Sequence, residues 1–151
     1  LAGRDIVRYG LNWSGEWLSY GPWLAAPRER KYFIGPRLLF REIPGAQKRI
    51  QAVYCDEICY YGHSITPFIL NVNEQVSIFY ILGIVNSKLL SWYGNLVLPN
   101  FGKNVFPKLN PKDISMLPIR LVDFSKKGNE QLHKQMHLKN KVEEEIMVKV
   151  V

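Results

Sequence analysis

Three groups of residues in this 151-residue chain have the types and spacing that site chemistry needs. Cys55, Cys59 and His63 follow one another as Cys-x3-Cys-x3-His, soft donors of the kind that hold zinc. No fourth ligand stands nearby, so metal is the weaker expectation. If 51–61 is a strand, four residues hold the two cysteine Cα atoms roughly 13 Å apart. A disulfide cannot span that, which leaves two ordinary reduced thiols. His133 and His137 stand four apart, a metal-capable helical spacing, but no Glu follows the first as a zinc hydrolase requires. They suit a solvated helix face.

Hydrolytic and transfer chemistry fare no better. Asp56-Glu57 and Glu143-Glu144-Glu145 are neighbours in sequence, and neighbours do not face each other on a strand or a helix. No serine sits in a nucleophile elbow, and no histidine has a partner for a triad. There is no glycine-rich phosphate loop and no dinucleotide fingerprint. Leu98-Pro99-Asn100-Phe101 does not match the Asp- or Asn-Pro-Pro-Tyr segment by which amino-methyltransferases hold an extruded base. No catalytic residue, metal site or cofactor site is expected in these residues, and binding is the activity that remains.

The third group is cationic. The chain carries a formal charge of +7 and a pI near 9.5. Most of the excess lies at 28–49, where Arg28, Arg30, Lys31, Arg37, Arg41, Lys48 and Arg49 face only Glu29 and Glu42. A basic stretch of this kind suits nucleic-acid phosphates. The expected DNA contacts are Arg28, Arg30, Lys31, Lys48, Arg49 and Lys103, with Gln47 and Asn104 as amide readers of base edges. Arg41 is included with them, although Arg37 and Arg41 flank an apolar strand where either can serve as a structural ion-pair residue near Glu42.

These groups need a scaffold. A hydrophobic content of 47% is ample for a packed core in one ordinary domain. Residues 12–27 hold Trp13, Trp17, Tyr20 and Trp23 among Gly15, Gly21, Pro22 and Pro27, an irregular loop whose aromatics are expected mainly on the core, the alternative being that one or two stack on a base or wedge into a groove. Strands are expected at 32–43, 53–61 and 65–71. From Gln75 the apolar period changes to three and four, which predicts one helix of about 20 residues with Asn73 as N-cap and Gly94 as its stop. Asn110-Pro111 looks like a helix start with proline in the first position. Residues 122–129 read as a polar linker, and Leu132, Met136, Val142, Ile146 and Val150 as one stripe of a terminal helix. The division is therefore a domain at 1–120, then linker and helix at 121–151. That stripe either covers the domain's own sheet or meets a second helix of a parent protein, and the linker favours the second; the chain starts at Leu1 and reads as a piece of a longer one. No membrane span or secretion signal is present, and the expected location is cytoplasmic.

Four pieces in order carry a resemblance: Gly3-Arg4-Asp5-Ile6-Val7-Arg8-Tyr9, the strand 36–43, the helix 82–93 with Asn86-Ser87-Lys88, and Leu117-Pro118-Ile119. Over residues 3–119 the chain resembles the TaqI-type C-terminal specificity domain, the target recognition domain of type IIG restriction-methyltransferases, which is similar to the recognition domains of type I specificity subunits. The resemblance implies an α+β fold with a twisted, partly barrel-like mixed sheet and packed helices, followed by a spacer-type helix. It also implies a bacterial parent whose separate catalytic domain methylates adenine N6 with S-adenosylmethionine, and which uses Mg where a nuclease is present. The implied partners are double-stranded DNA and that catalytic domain. Asn86-Ser87-Lys88 has a second explanation, a polar break that bonds to a neighbouring loop. The competing reading of the chain as a whole is a protein-interaction or scaffold domain whose basic patch is incidental.

Overall fold

The computed structural model describes residues 1–71, 76–120 and 122, and all structural statements below concern those. The linker and terminal helix expected at 121–151, apart from Val122, and the Asn73 cap lie outside them.

Strand β3, Arg37–Arg41, is the centre of the fold, with β4, Ala52–Cys55, and β5, Ile65–Phe68, antiparallel on either side. Its Leu38-Leu39-Phe40 run is apolar without alternation because the strand is covered on both faces. Leu38 and Phe40 join one core with Ile50, Ala52, Leu82, Val85 and Leu109, while Leu39 joins another with Ile6, Phe33, Val53, Tyr61 and Ile65. A two-residue pair, β1 (Ile6–Val7) with β2 (Gly10–Leu11), forms a second antiparallel sheet and puts Ile6 in the second core.

The sheet differs from the one the resemblance implies. It is antiparallel rather than mixed, and among the described residues it does not close into a barrel. Three strands of four or five residues are too few and too short to curl back on themselves. The second strand also stops at Cys55, well short of residue 61, and the chain then turns.

The expected single long helix is two: α1, Ile78–Val85, and α2, Lys88–Val97. Between them Asn86 is fully buried and its side-chain amide binds both backbone groups of Ala52, accepting from N at 3.0 Å and donating to O at 2.9 Å. Ser87 then caps α2 by accepting from Leu90 N. Asn86 and Ser87 therefore have structural roles, and Lys88 is exposed. Gly94 is not a stop but a packing position inside α2, since a Cβ there would stand 3.3 Å from Leu98 and Phe101 side-chain carbons. Helix α3, Pro111–Ser115, begins as expected with proline first, and the buried Asp113 carboxylate accepts from Asn110 N at 3.1 Å. No helix of the described residues is long and apolar enough to cross a membrane.

The aromatic loop departs from expectation. Only Tyr20 packs inward, stacked on Tyr60 and edge-on to Phe33. Trp13, Trp17 and Trp23 are exposed, with Trp13 and Trp17 edge to face.

Candidate functional site

The turn after β3 is built to present Lys48. Pro44 is buried, Lys48 N closes a turn onto Gly45 O, and Lys48 itself takes a left-handed φ of 46°. That conformation is unfavourable for a side-chain-bearing residue by about 1–2 kcal/mol. Asn95 on α2 holds it, donating to Lys48 O at 2.9 Å. Lys48 Nζ then reaches a second loop, donating to Lys103 O and Asn104 Oδ1, both at 3.1 Å. That loop is anchored at its base by Leu109 N to Glu42 O, Lys108 N to Asn100 O, and the Lys108–Glu42 ion pair at 3.3 Å. Lys103 Nζ binds only the neutral Asn100 Oδ1. Lys48, Lys103 and Asn104 thus form one exposed cluster from segments 55 residues apart, with Gln47 exposed one residue before Lys48.

Beside it lies a second cationic feature. Arg49 Nη2 and Arg8 Nε donate to the same oxygen, Asn86 O, at 2.9 and 3.1 Å. That carbonyl ends α1, where the helix dipole favours positive charge. Two guanidiniums converge on one partial charge, and no ion pair among the described residues neutralises either. The arrangement favours an incoming anion such as a phosphate, which would relieve their mutual repulsion.

The other expected contacts fare differently. Arg28 is spent on structure: its Nη1 donates to Ile65 O at 3.0 Å, its guanidinium lies over Tyr61, and its carbonyl accepts from Tyr20. Lys31 pairs with Glu29 at 2.8 Å, and Arg30 is exposed beside it in a 3-10 turn. No hydrogen bond or ion pair among the described residues joins 28–31 to the Lys48 cluster. Arg41 is half-buried and bound to Ile43 O and Gln51 Oε1. Arg37 is fully buried and donates to carbonyls of Phe33, Gly35 and Glu57 and to Cys59 Sγ, so its role is structural without any carboxylate. Arg8 is not among the expected contacts; it lies 41 residues from Arg49 in sequence, and the shared Asn86 carbonyl brings them together.

The cysteines overturn a second expectation. Because β4 ends at Cys55 and the chain turns back through 56–58, the two Sγ atoms stand 3.4 Å apart. No cluster of three or more metal-ligating side chains exists among the described residues.

The architecture and its basic cluster can be set beside known proteins. No curated protein and no solved structure matches the chain significantly. The family model of the TaqI-like C-terminal specificity domain, however, matches residues 1–119. By that match the chain belongs to the TaqI-like C-terminal specificity domain family, the non-catalytic domains that serve DNA sequence recognition in restriction-modification enzymes.

Proposed function

We propose that this domain binds double-stranded DNA through the Lys48–Lys103–Asn104 cluster and the adjoining Arg8–Arg49 pair, and directs adenine-N6 methylation by a catalytic domain of its parent. The observation that carries the assignment is the convergence of two loops and a helix end on exposed Arg8 and Lys103 and half-buried Lys48 and Arg49, which no carboxylate among the described residues neutralises, in a member of a specificity family. The four cations supply phosphate contact, which fixes position and makes affinity salt-dependent. Gln47 and Asn104 are the amide side chains at the same edge, suited to the N6 and N7 groups of adenine. Arg30 and Lys31 contribute long-range attraction, and Arg41 contributes through the backbone it holds.

The parent would be a type IIG enzyme in a bacterial cytoplasm, using S-adenosylmethionine, and Mg where it also cuts. A protein-interaction reading draws on one observation: α2 leaves Leu89, Trp92 and Leu96 exposed at spacings of three and four. That stripe suits contact with the catalytic domain, so the two readings are compatible.

The test is selection of this chain on a random duplex pool at about 50 and 200 mM salt, with sequencing of the retained fraction. An enriched motif that is lost in Gln47→Ala/Asn104→Ala supports the assignment. Salt-sensitive retention without enrichment, or no retention, overturns it.

A further inference from the structure

Arg37 poses a problem that DNA recognition does not solve. Its guanidinium lies in the protein interior with no carboxylate within ion-pair reach among the described residues. A buried charge without a counter-charge is costly, and carbonyl oxygens only partly offset it. Of the groups bound to it, the Tyr61 phenol and the Cys59 thiol can carry a full negative charge; burial pushes Tyr61 up, and Cys59 Sγ lies 2.9 Å from Arg37 Nη2. Cys55 Sγ lies 3.4 Å from the same sulfur and has Glu57 O at 3.6 Å as a further partner. One proton shared by this pair satisfies all three groups: Cys55 keeps it and donates to a Cys59 thiolate that faces the guanidinium.

Access completes the picture. Cys59 is half-buried, and with Cys55 it lines a cavity of about 470 Å³ whose other walls include Leu11, Trp13, Trp17 and Tyr60. The exposed tryptophans, idle in the core, form an apolar and aromatic wall beside the sulfur.

We propose that Cys59 and Cys55 form a thiol–disulfide exchange site, with the Cys59 thiolate held by Arg37 as the attacking group and Cys55 as the resolving one, taking a small aromatic disulfide in the Trp13–Trp17 cavity. In the first step the Cys59 sulfur bonds to one sulfur of the disulfide, whose S–S bond breaks and releases one thiolate. In the second, Cys55 gives up its proton to solvent and its sulfur displaces the remaining small thiolate from Cys59. The protein loses two electrons to the small disulfide, which leaves as two thiols. Arg37 then lacks its anion, which favours return to the reduced pair by exchange with two external small thiols that leave as their own disulfide.

The groups that face Cys59 are Arg37 from β3, Cys55 from β4, Tyr61 and the Leu1 amino group, and Glu16 and Glu57 line the same cavity. The hydrogen bond from Cys55 and then the Arg37 charge bring the Cys59 thiol down to about 7, whereas the same bond and burial push Cys55 up. A thiol ionising near 7 rather than near 9 has about 50 times more thiolate at neutral pH, and its lower intrinsic nucleophilicity returns about tenfold of that. Reaction about fivefold faster than an ordinary thiol is expected.

The experiment treats the reduced 151-residue chain with 4,4′-dithiodipyridine and follows released thiopyridone and intact mass. Expected are two thiopyridones per chain, no retained adduct, and a mass lower by two hydrogens, with the rate half-maximal near pH 7. Cys55→Ser should release one thiopyridone and retain one pyridylthio adduct on Cys59. Cys59→Ser should react about fivefold more slowly at neutral pH. Arg37→Lys should move the half-maximal pH upward while leaving the sequence of steps intact. Two retained adducts on the wild-type chain, or equal rates for wild type and Cys59→Ser at pH 7, would overturn the proposal, and neither depends on Arg37 variants folding.

Discussion

Replacing Lys48 and Lys103 together by alanine tests the DNA face; it removes the Lys48 bonds to Lys103 O and Asn104 Oδ1 and leaves the other anchors of both loops in place. The left-handed backbone at Lys48 is held by Asn95 through the Lys48 carbonyl, which the substitution keeps, and alanine carries the same Cβ there as lysine. Lys103 loses one bond to Asn100 and keeps its own carbonyl. The loop remains pinned by Leu109 N to Glu42 O and by the Lys108–Glu42 pair. If Arg8, Lys48, Arg49 and Lys103 each neutralise one phosphate, the slope of log affinity against log salt is about −3.6. A fourfold rise in salt then weakens binding about 150-fold for the wild type. The double variant keeps two contacts, a slope of about −1.8, and loses only about 12-fold over the same range. Fluorescence anisotropy with a labelled duplex, run as a salt series beside thermal melts, measures both slopes. Unchanged slopes in a variant that melts like the wild type would refute the placement of these lysines on phosphate.

Other perturbations probe the scaffold and the thiols. Asn86→Ala removes the partner of Ala52 N and one of the two donors to Ala52 O at a fully buried site, and urea unfolding should show a loss of about 1–3 kcal/mol. Gly102→Ala drives a Cβ into the backbone carbonyl of Asn95, and should destabilise by about 1–3 kcal/mol and weaken DNA binding as the Lys103 loop shifts. Cys59 ionises near 7 in the fold against an ordinary value of 9, so its share of stability is complete above pH 9 and is lost as pH falls through 7. Cys55 is shifted upward, so the fold binds the extra proton above pH 9 and that residue lowers stability there. Urea midpoints of the wild type should therefore rise between pH 7 and 9, and Cys59→Ser should flatten the rise.

The fold was legible where burial and local chemistry agree. Leu38-Leu39-Phe40 between two turn signals marks the central strand, and Asn110-Pro111 marks a helix start, because each depends on neighbours a few residues away. The single long helix was not legible as two, since its apolar period runs through Asn86 without interruption. The break belongs to Ala52, 34 residues earlier, whose N–H Asn86 satisfies and whose carbonyl accepts from both Asn86 and Tyr9 N. The same holds for β4: nothing local stops a strand at Cys55. What stops it is Arg37, which draws in the Glu57 carbonyl and Cys59 sulfur and so bends the chain around itself.

Charge counting located the basic region but could not rank its members, because a guanidinium that serves the fold and one that waits for a phosphate have the same letter. Arg28 and Arg37 sit in the densest stretch of positive charge, where Arg37 is consumed by several backbone carbonyls and Arg28 gives one donor to Ile65 O. Arg8 lies in an unremarked opening segment, yet it shares an acceptor with Arg49. The discriminating quantity is what each cation already binds. A cation whose donors are spent on several interior carbonyls gains little from phosphate, whereas two cations crowded on one carbonyl gain from it directly. By that criterion the proposal gives Arg8, Lys48, Arg49 and Lys103 more weight than 28–31, and the salt-slope experiment is a test of the criterion as much as of the residues.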